Sequence, residues 1–74
     1  MKLFKFSNDC AVVLDEVQFV RKCSWYSSKK ESCCPCIDVT IKGKRYATEV
    51  RYDEGHEYDR DKDYDNLMKA LEES

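Results

Sequence analysis

Five cysteines carry the most reactive chemistry in this chain of 74 residues, and three of them stand together in Cys33-Cys34-Pro35-Cys36. A C-x-x-C spacing lets two thiolates reach one tetrahedral ion, and Cys23 brings a further sulfur. Cys23, Cys33, Cys34 and Cys36 are therefore the candidate zinc ligands, with Cys10 and the single histidine, His56, as donors further off. Tetrahedral zinc sites generally show two short ligand pairs, and only one is present. The same spacing serves redox dithiols, which need the first sulfur at a helix N-terminus to lower its pKa. Here the motif runs into Ile37-Asp38-Val39-Thr40-Ile41, an alternating strand pattern, so that activation is missing. Reduced thiols are the preferred reading, zinc the second and a disulfide the third. No other cofactor is expected.

Charged residues supply two candidate binding surfaces. Lys29 and Lys30 sit beside Trp25 and Tyr26, and Lys42, Lys44 and Arg45 beside Tyr46. Cations with neighbouring aromatics are how many β-sheet modules hold single-stranded nucleic acid. A sequence pI near 5.3 speaks against that, since such domains are generally basic. Lysines at strand ends also serve to keep sheet edges from pairing. The second surface is acidic: Asp53, Glu54, Glu57, Asp59 and Asp61, continuing into Asp63 and Asp65, would face a basic partner. Its plainer reading is a solvated loop and helix start.

The run from Asp61 to Glu72 nearly fits the calcium-loop pattern D-x-[DN]-x-[DN]-G-x5-E, with Asn66 in place of the glycine. A helix is needed on each side of such a loop, and only Glu73 and Ser74 follow. The same residues carry a helical apolar stripe, so a helix is expected and calcium is not. With one histidine, no Ser-His-Asp set and no glycine-rich phosphate loop, an enzyme is not expected.

Length and composition bound the rest. Seventy-four residues suit one domain, residues 1–74, with a small core. A hydrophobic share of 42% against 38% charged is enough to fold, because the apolar residues recur at regular spacing. No apolar stretch approaches the roughly 18 residues of a membrane span, and Met1-Lys2-Leu3-Phe4-Lys5-Phe6 has no continuous apolar run behind it, so no signal peptide is expected. An odd cysteine count also argues against a secreted disulfide framework, so the expected compartment is the cytoplasm. Residues 1–52 hold ten Lys/Arg against six Asp/Glu, and residues 53–74 three against nine. A mildly basic sheet region thus precedes a strongly acidic segment.

These groups must be positioned by strands and one helix. Phe4 and Phe6 alternate against Cys10, Val12 and Leu14 about a Ser7-Asn8-Asp9 turn, predicting a hairpin with Phe6 opposite Cys10 and Phe4 opposite Val12. Asp15-Glu16 interrupts the run. Val17, Phe19, Cys23 and Trp25 recur at spacing two, broken by Arg21, and Ile37, Val39 and Ile41 follow with Asp38, Thr40 and Lys42 on the other face. A turn centred between Lys29 and Lys30 would set Cys23 opposite Cys36. A turn centred on Lys30 would set Cys23 opposite Ile37, send Cys23 and Cys36 to opposite faces, and place Phe19 with Val39 and Ile41. The second buries more apolar surface and is preferred, unless Pro35 forces a bulge. Lys42-Gly43 predicts a tight hairpin pairing Val39 with Tyr46 and Ile41 with Lys44, with Tyr46, Val50 and Tyr52 on the core face. Tyr64, Leu67, Met68 and Leu71 predict a helix, with Asp61 as N-cap and Asp63 and Asp65 favouring its positive end.

The expected fold is α+β: a bent antiparallel sheet of four to five strands, a meander of hairpins at about 2–6, 10–14, 17–27, 35–42 and 44–52. One C-terminal helix, about 62–72, packs on one face. At 1.5 Å per residue such a helix spans roughly the width of a five-stranded sheet and covers its face only in part. The remainder should attract a partner, a second copy of the chain being the simplest. The expected function is a small non-catalytic binding or adaptor module working through protein contacts, of a size that suits a compact inhibitor. Nucleic-acid binding through the lysine tips is the alternative, and zinc binding through the cysteines a further one. No membrane partner is expected.

Overall fold

The computed structural model describes residues 2–73. Five antiparallel strands and one helix follow in the order β1 (Leu3–Lys5), β2 (Ala11–Val13), β3 (Val17–Ser27), β4 (Ser32–Ile41), β5 (Thr48–Arg51) and α1 (Glu57–Glu73). The arrangement is α+β, with the strands divided into a β1-β2 hairpin and a β3-β4-β5 sheet. A single 3-10 turn at Leu14–Glu16 separates the two, where Asp15-Glu16 interrupts the apolar alternation.

The first hairpin has the expected register, Phe4 opposite Val12. Its Ser7-Asn8-Asp9 turn is closed by the Phe6 N–H donating to Cys10 O at 2.7 Å, and Asp9 takes a left-handed φ of 71°. Aspartate tolerates that conformation better than most residues. Phe6 is buried, edge-on to Phe4 at 5.0 Å between ring centroids.

The β3-β4 register differs from the preferred expectation. Cys23 lies opposite Cys36, Val20 opposite Val39 and Phe19 opposite Thr40, and Ser27 meets Ser32 across a four-residue turn. Glu31 supplies the left-handed residue of that turn, φ 52°, and an even-numbered loop centres the hairpin between Lys29 and Lys30. The apolar reward assigned to the other register is recovered by a bulge between Val17 and Phe19, away from Pro35. The bulge returns Val17 to the core side opposite Ile41 while Val20 serves opposite Val39. Phe19 is thereby turned outward and is 70% exposed. Cys23 and Cys36 share one face.

The β4-β5 pairing is shifted by two residues, with Val50 opposite Ile37 and Thr48 opposite Val39. An even shift preserves which side chains face the core, so Val50 and Tyr52 are buried as expected. Tyr46 is not, being 77% exposed. The cause is the turn. Lys44 N–H bonds Ile41 O and Gly43 has φ 80°, the pattern of a type II turn, which splays a hairpin where the expected tight turn would close it. The chain rejoins β4 only at Thr48.

Helix α1 begins at Glu57, earlier than the apolar stripe predicts, so Asp61 lies inside it and is not its N-cap. His56 precedes the first turn, its carbonyl accepting the Arg60 N–H at 3.0 Å and its ring Nδ1 lying 2.9 Å from Asp59 Oδ2. Along the inner face of α1, Leu67 is fully buried and joins Phe6, Val12, Leu14, Ile37, Val39, Ile41, Val50 and Tyr52 in one core, with Tyr64 and Leu71 packed against it. Asp63 is buried one turn before Leu67, where the expectation had it simply near the dipole. Its Oδ2 accepts from Tyr52 Oη at 2.6 Å, Ser7 Oγ at 2.8 Å and Ser7 N at 3.0 Å. One carboxylate thus ties the helix to the first hairpin and to the end of β5. No helix among the described residues is long and apolar enough to cross a membrane.

Candidate functional site

Strand β3 is an edge of its sheet. Edge strands offer unpaired backbone groups to other chains unless something blocks them. The middle of β3 is blocked: Arg60 Nη1 donates to Cys23 O at 2.9 Å, and Lys22 pairs with Asp61 at 3.7 Å and lies over the Tyr64 ring. Its beginning is apolar on both sides. Phe19 projects outward and Val20 inward, and a groove of about 370 Å³ runs along Val17, Gln18, Phe19, Val20, Met68 and Leu71. Phe19 also borders a smaller hollow, about 240 Å³, with Arg21, Asp38, Thr40 and Ala47. Met68, expected in the helix's buried stripe, is 38% exposed at this groove.

The face of the sheet turned away from α1 holds a second cluster. Cys36 and Asp38 are two apart on β4 and so project together, and the register sets Cys23 against Cys36 and Arg21 against Asp38. One ligand atom each from Cys23, Cys36 and Asp38 falls within 4.8 Å of the others. Cys36 Sγ stands 3.7 Å from Asp38 Oδ1, and Arg21 Nη2 bonds Asp38 Oδ2 at 3.3 Å. Beside the cluster, Trp25 from β3 and Arg51 from β5 meet over β4, with the guanidinium 4.8 Å from the indole centroid. Trp25 Nε1 donates to Tyr52 O at 3.3 Å. Cys34 and Cys36, opposite Trp25 and Arg51 respectively, are buried beneath this bridge.

Burial is the main cause that raises the Cys36 thiol far above its ordinary value, reinforced by Cys23 and by the negative charges of Asp38 and Glu49. The Cys23 thiol is raised too, chiefly by burial and then by Asp38, with the Cys36 hydrogen bond and Arg21 acting the other way. Both are protonated near neutrality, which is the opposite of what a nucleophilic or redox-active thiol requires.

Of the four candidate zinc ligands, the fold gathers only Cys23 and Cys36. Cys33 is exposed and alternation along β4 sends it to the other face; Cys34 is buried but outside the three-ligand group. Asp38 joins the cluster unforeseen. Its spacing of two from Cys36 was a usable signal once the thiols were placed on that face. The proposed partner-binding residues are largely engaged within the chain. Lys30 pairs with Asp53 at 3.3 Å, Asp59 with His56, Asp61 with Lys22 and Arg60, and Trp25 with Arg51. Tyr26 is exposed, as are Lys29, Glu54 and Glu57. No protein-family model, curated protein or solved structure matches this chain.

Proposed function

We propose that this chain is a non-catalytic binding module that associates through the opening stretch of β3, Val17 to Val20, and that its first partner is a second copy of itself. The observation that carries this reading is Phe19, a large apolar side chain 70% exposed on an edge strand beside an apolar groove. A two-fold axis lets one such edge meet its own copy, burying both phenylalanines in a self-complementary interface. The pinned segment at Cys23 confines the pairing to the beginning of the strand.

Light scattering on the purified chain, against Phe19→Asp, tests this. The expected wild-type mass is twice 8.8 kDa, with the variant folded and monomeric. Removing one buried phenylalanine per copy, at about 1.5–3 kcal/mol each, weakens such a dimer by at least an order of magnitude. A wild type that stays monomeric at high concentration rejects self-association.

One observation favours a second reading. Tyr46, 77% exposed, shares the β4-β5 loop with Lys42, Lys44 and Arg45, a composition suited to stacking a base beside a phosphate. Nucleic-acid binding there predicts a steep loss of affinity for single-stranded oligonucleotides with added salt, and weaker binding by Tyr46→Ala. An unshifted oligonucleotide at low salt removes it.

A further inference from the structure

The face of β3-β4-β5 away from the helix brings together two thiols and a carboxylate that no packing need explains. A buried cysteine by itself is a small apolar filler, and Cys34 fits that description. Cys36 does not, because its sulfur has a second thiol across the strand pair and a carboxylate oxygen 3.7 Å away. If both thiols ionised, they and the Asp38 carboxylate would be three anions within 4.8 Å of one another. Their joint ionisation needs more positive charge than the exposed Arg21 guanidinium at Asp38 supplies.

We propose that Cys23 Sγ, Cys36 Sγ and one Asp38 carboxylate oxygen bind a single thiophilic divalent cation of the zinc class. Bonds of about 2.3 Å to sulfur at tetrahedral angles hold two sulfurs about 3.8 Å apart, a spacing the side chains of a directly opposed cross-strand pair reach by rotation alone. Hard cations are excluded by the ligand chemistry, since calcium and magnesium take six or more oxygens. Binding displaces both thiol protons to solvent, so the ion is held more tightly as pH rises. Cys36 is wholly buried while Cys23 is half-buried and the Asp38 side chain 17% exposed, so the cation enters from the Cys23 and Asp38 side. Three protein ligands leave the fourth tetrahedral position to solvent.

The site is formed within one chain and does not depend on the Phe19 surface. Its test is a titration of the reduced full chain with cobalt(II), followed by displacement with zinc(II). The expected result is one equivalent per chain, with the near-ultraviolet thiolate-to-cobalt charge-transfer absorption, and no competition by calcium. Cys23→Ser abolishes that absorption, Asp38→Asn weakens binding at least ten-fold, and Cys33→Ser, altered on the opposite face, leaves it unchanged. If Cys36→Ser disturbs folding of the buried position, Cys23→Ser decides alone. Absence of thiolate-to-cobalt absorption, or a Cys33→Ser loss equal to that of Cys23→Ser, overturns the proposal.

Discussion

The helix side of the β3-β4-β5 sheet buries Ile37, Val39 and Val50 under Leu67, and the far side buries Cys34 and Cys36 under the Trp25-Arg51 bridge. Exposure alone does not distinguish these sides, because Ile37 and Cys36 are both at 0%. Chemistry does. On the helix side the buried residues are apolar apart from the Asp63 network, with Lys22 lying over Tyr64 at the rim, and burial is what stabilises the fold. On the far side the covering groups are an indole and a guanidinium anchored by hydrogen bonds and charge, with the Cys34 and Cys36 sulfurs beneath them and the partly exposed Asp38 carboxylate to one side. Buried therefore means two things in this molecule: apolar side chains packed on one face, and thiols covered by an indole and a guanidinium on the other.

The sharpest way to break this contrast is to truncate one wholly buried side chain on each face, allowing for the larger volume that Leu67→Ala removes. Leu67→Ala is expected to cost about 2–5 kcal/mol in urea unfolding, and Cys36→Ala only about 1 kcal/mol. Equal losses would make the far side a second core. Next in size is Tyr52→Phe, which removes one of the three donors to buried Asp63 and costs about 1.5–3 kcal/mol. A neutral result would mean that the Ser7 donors alone satisfy that carboxylate.

Alkaline titration separates the faces by pH. Cys23 and Cys36 are raised from an ordinary value of 9.0, and Tyr52 from 10.0, by burial and by its bond to Asp63. Each group keeps its proton longer in the folded chain, so its stabilisation is complete below the unfolded value and is lost as pH climbs towards the folded one. In metal-free protein, stability should fall first from about pH 9 and more steeply from about pH 10. Cys23→Ser should remove part of the first decline and Tyr52→Phe the second. A decline beginning on the acid side of neutrality contradicts this order. The smallest effect is Arg21→Ala: its ion pair with Asp38 is solvent-exposed on the arginine side, so stability should change by under about 0.5 kcal/mol. The same variant frees Asp38 and should tighten cobalt binding, a split that calorimetry can read in one preparation.

How much of this was legible from residues depends on how far each interaction reaches along the chain. The register of the β1-β2 hairpin was legible because Ser7-Asn8-Asp9 sets it over three residues, although the strands stop at Lys5 and Val13 and Leu14 falls in the 3-10 turn. The Leu67 stripe announced the helix but not its start, since Glu57 to Lys62 are held by polar contacts, Arg60 to Cys23 O and Asp61 to Lys22, which leave no apolar period to detect. The candidate metal set was half legible. Residue type points to Cys23 and Cys36, but proximity in sequence groups Cys33 and Cys34 with them. Alternation along the strand sends Cys33 to the other face. Cys34, on the same face as Cys36, lies one pair further along, opposite Trp25.

The residue order by itself determined what alternates with what: the apolar face of β4, the turn at Ser7-Asn8-Asp9, and the helical stripe from Tyr64 to Leu71. Those are periodicities and turn preferences set by sterics over a few residues. Only the tertiary structure decided which strand face met which. A bulge beside Gln18, a left-handed Glu31 and a splayed turn at Gly43 each shift pairing by one or two residues at small local cost, and their balance depends on the whole core being filled at once. That collective condition turned Phe19 outward, brought Cys23 against Cys36, and buried Asp63.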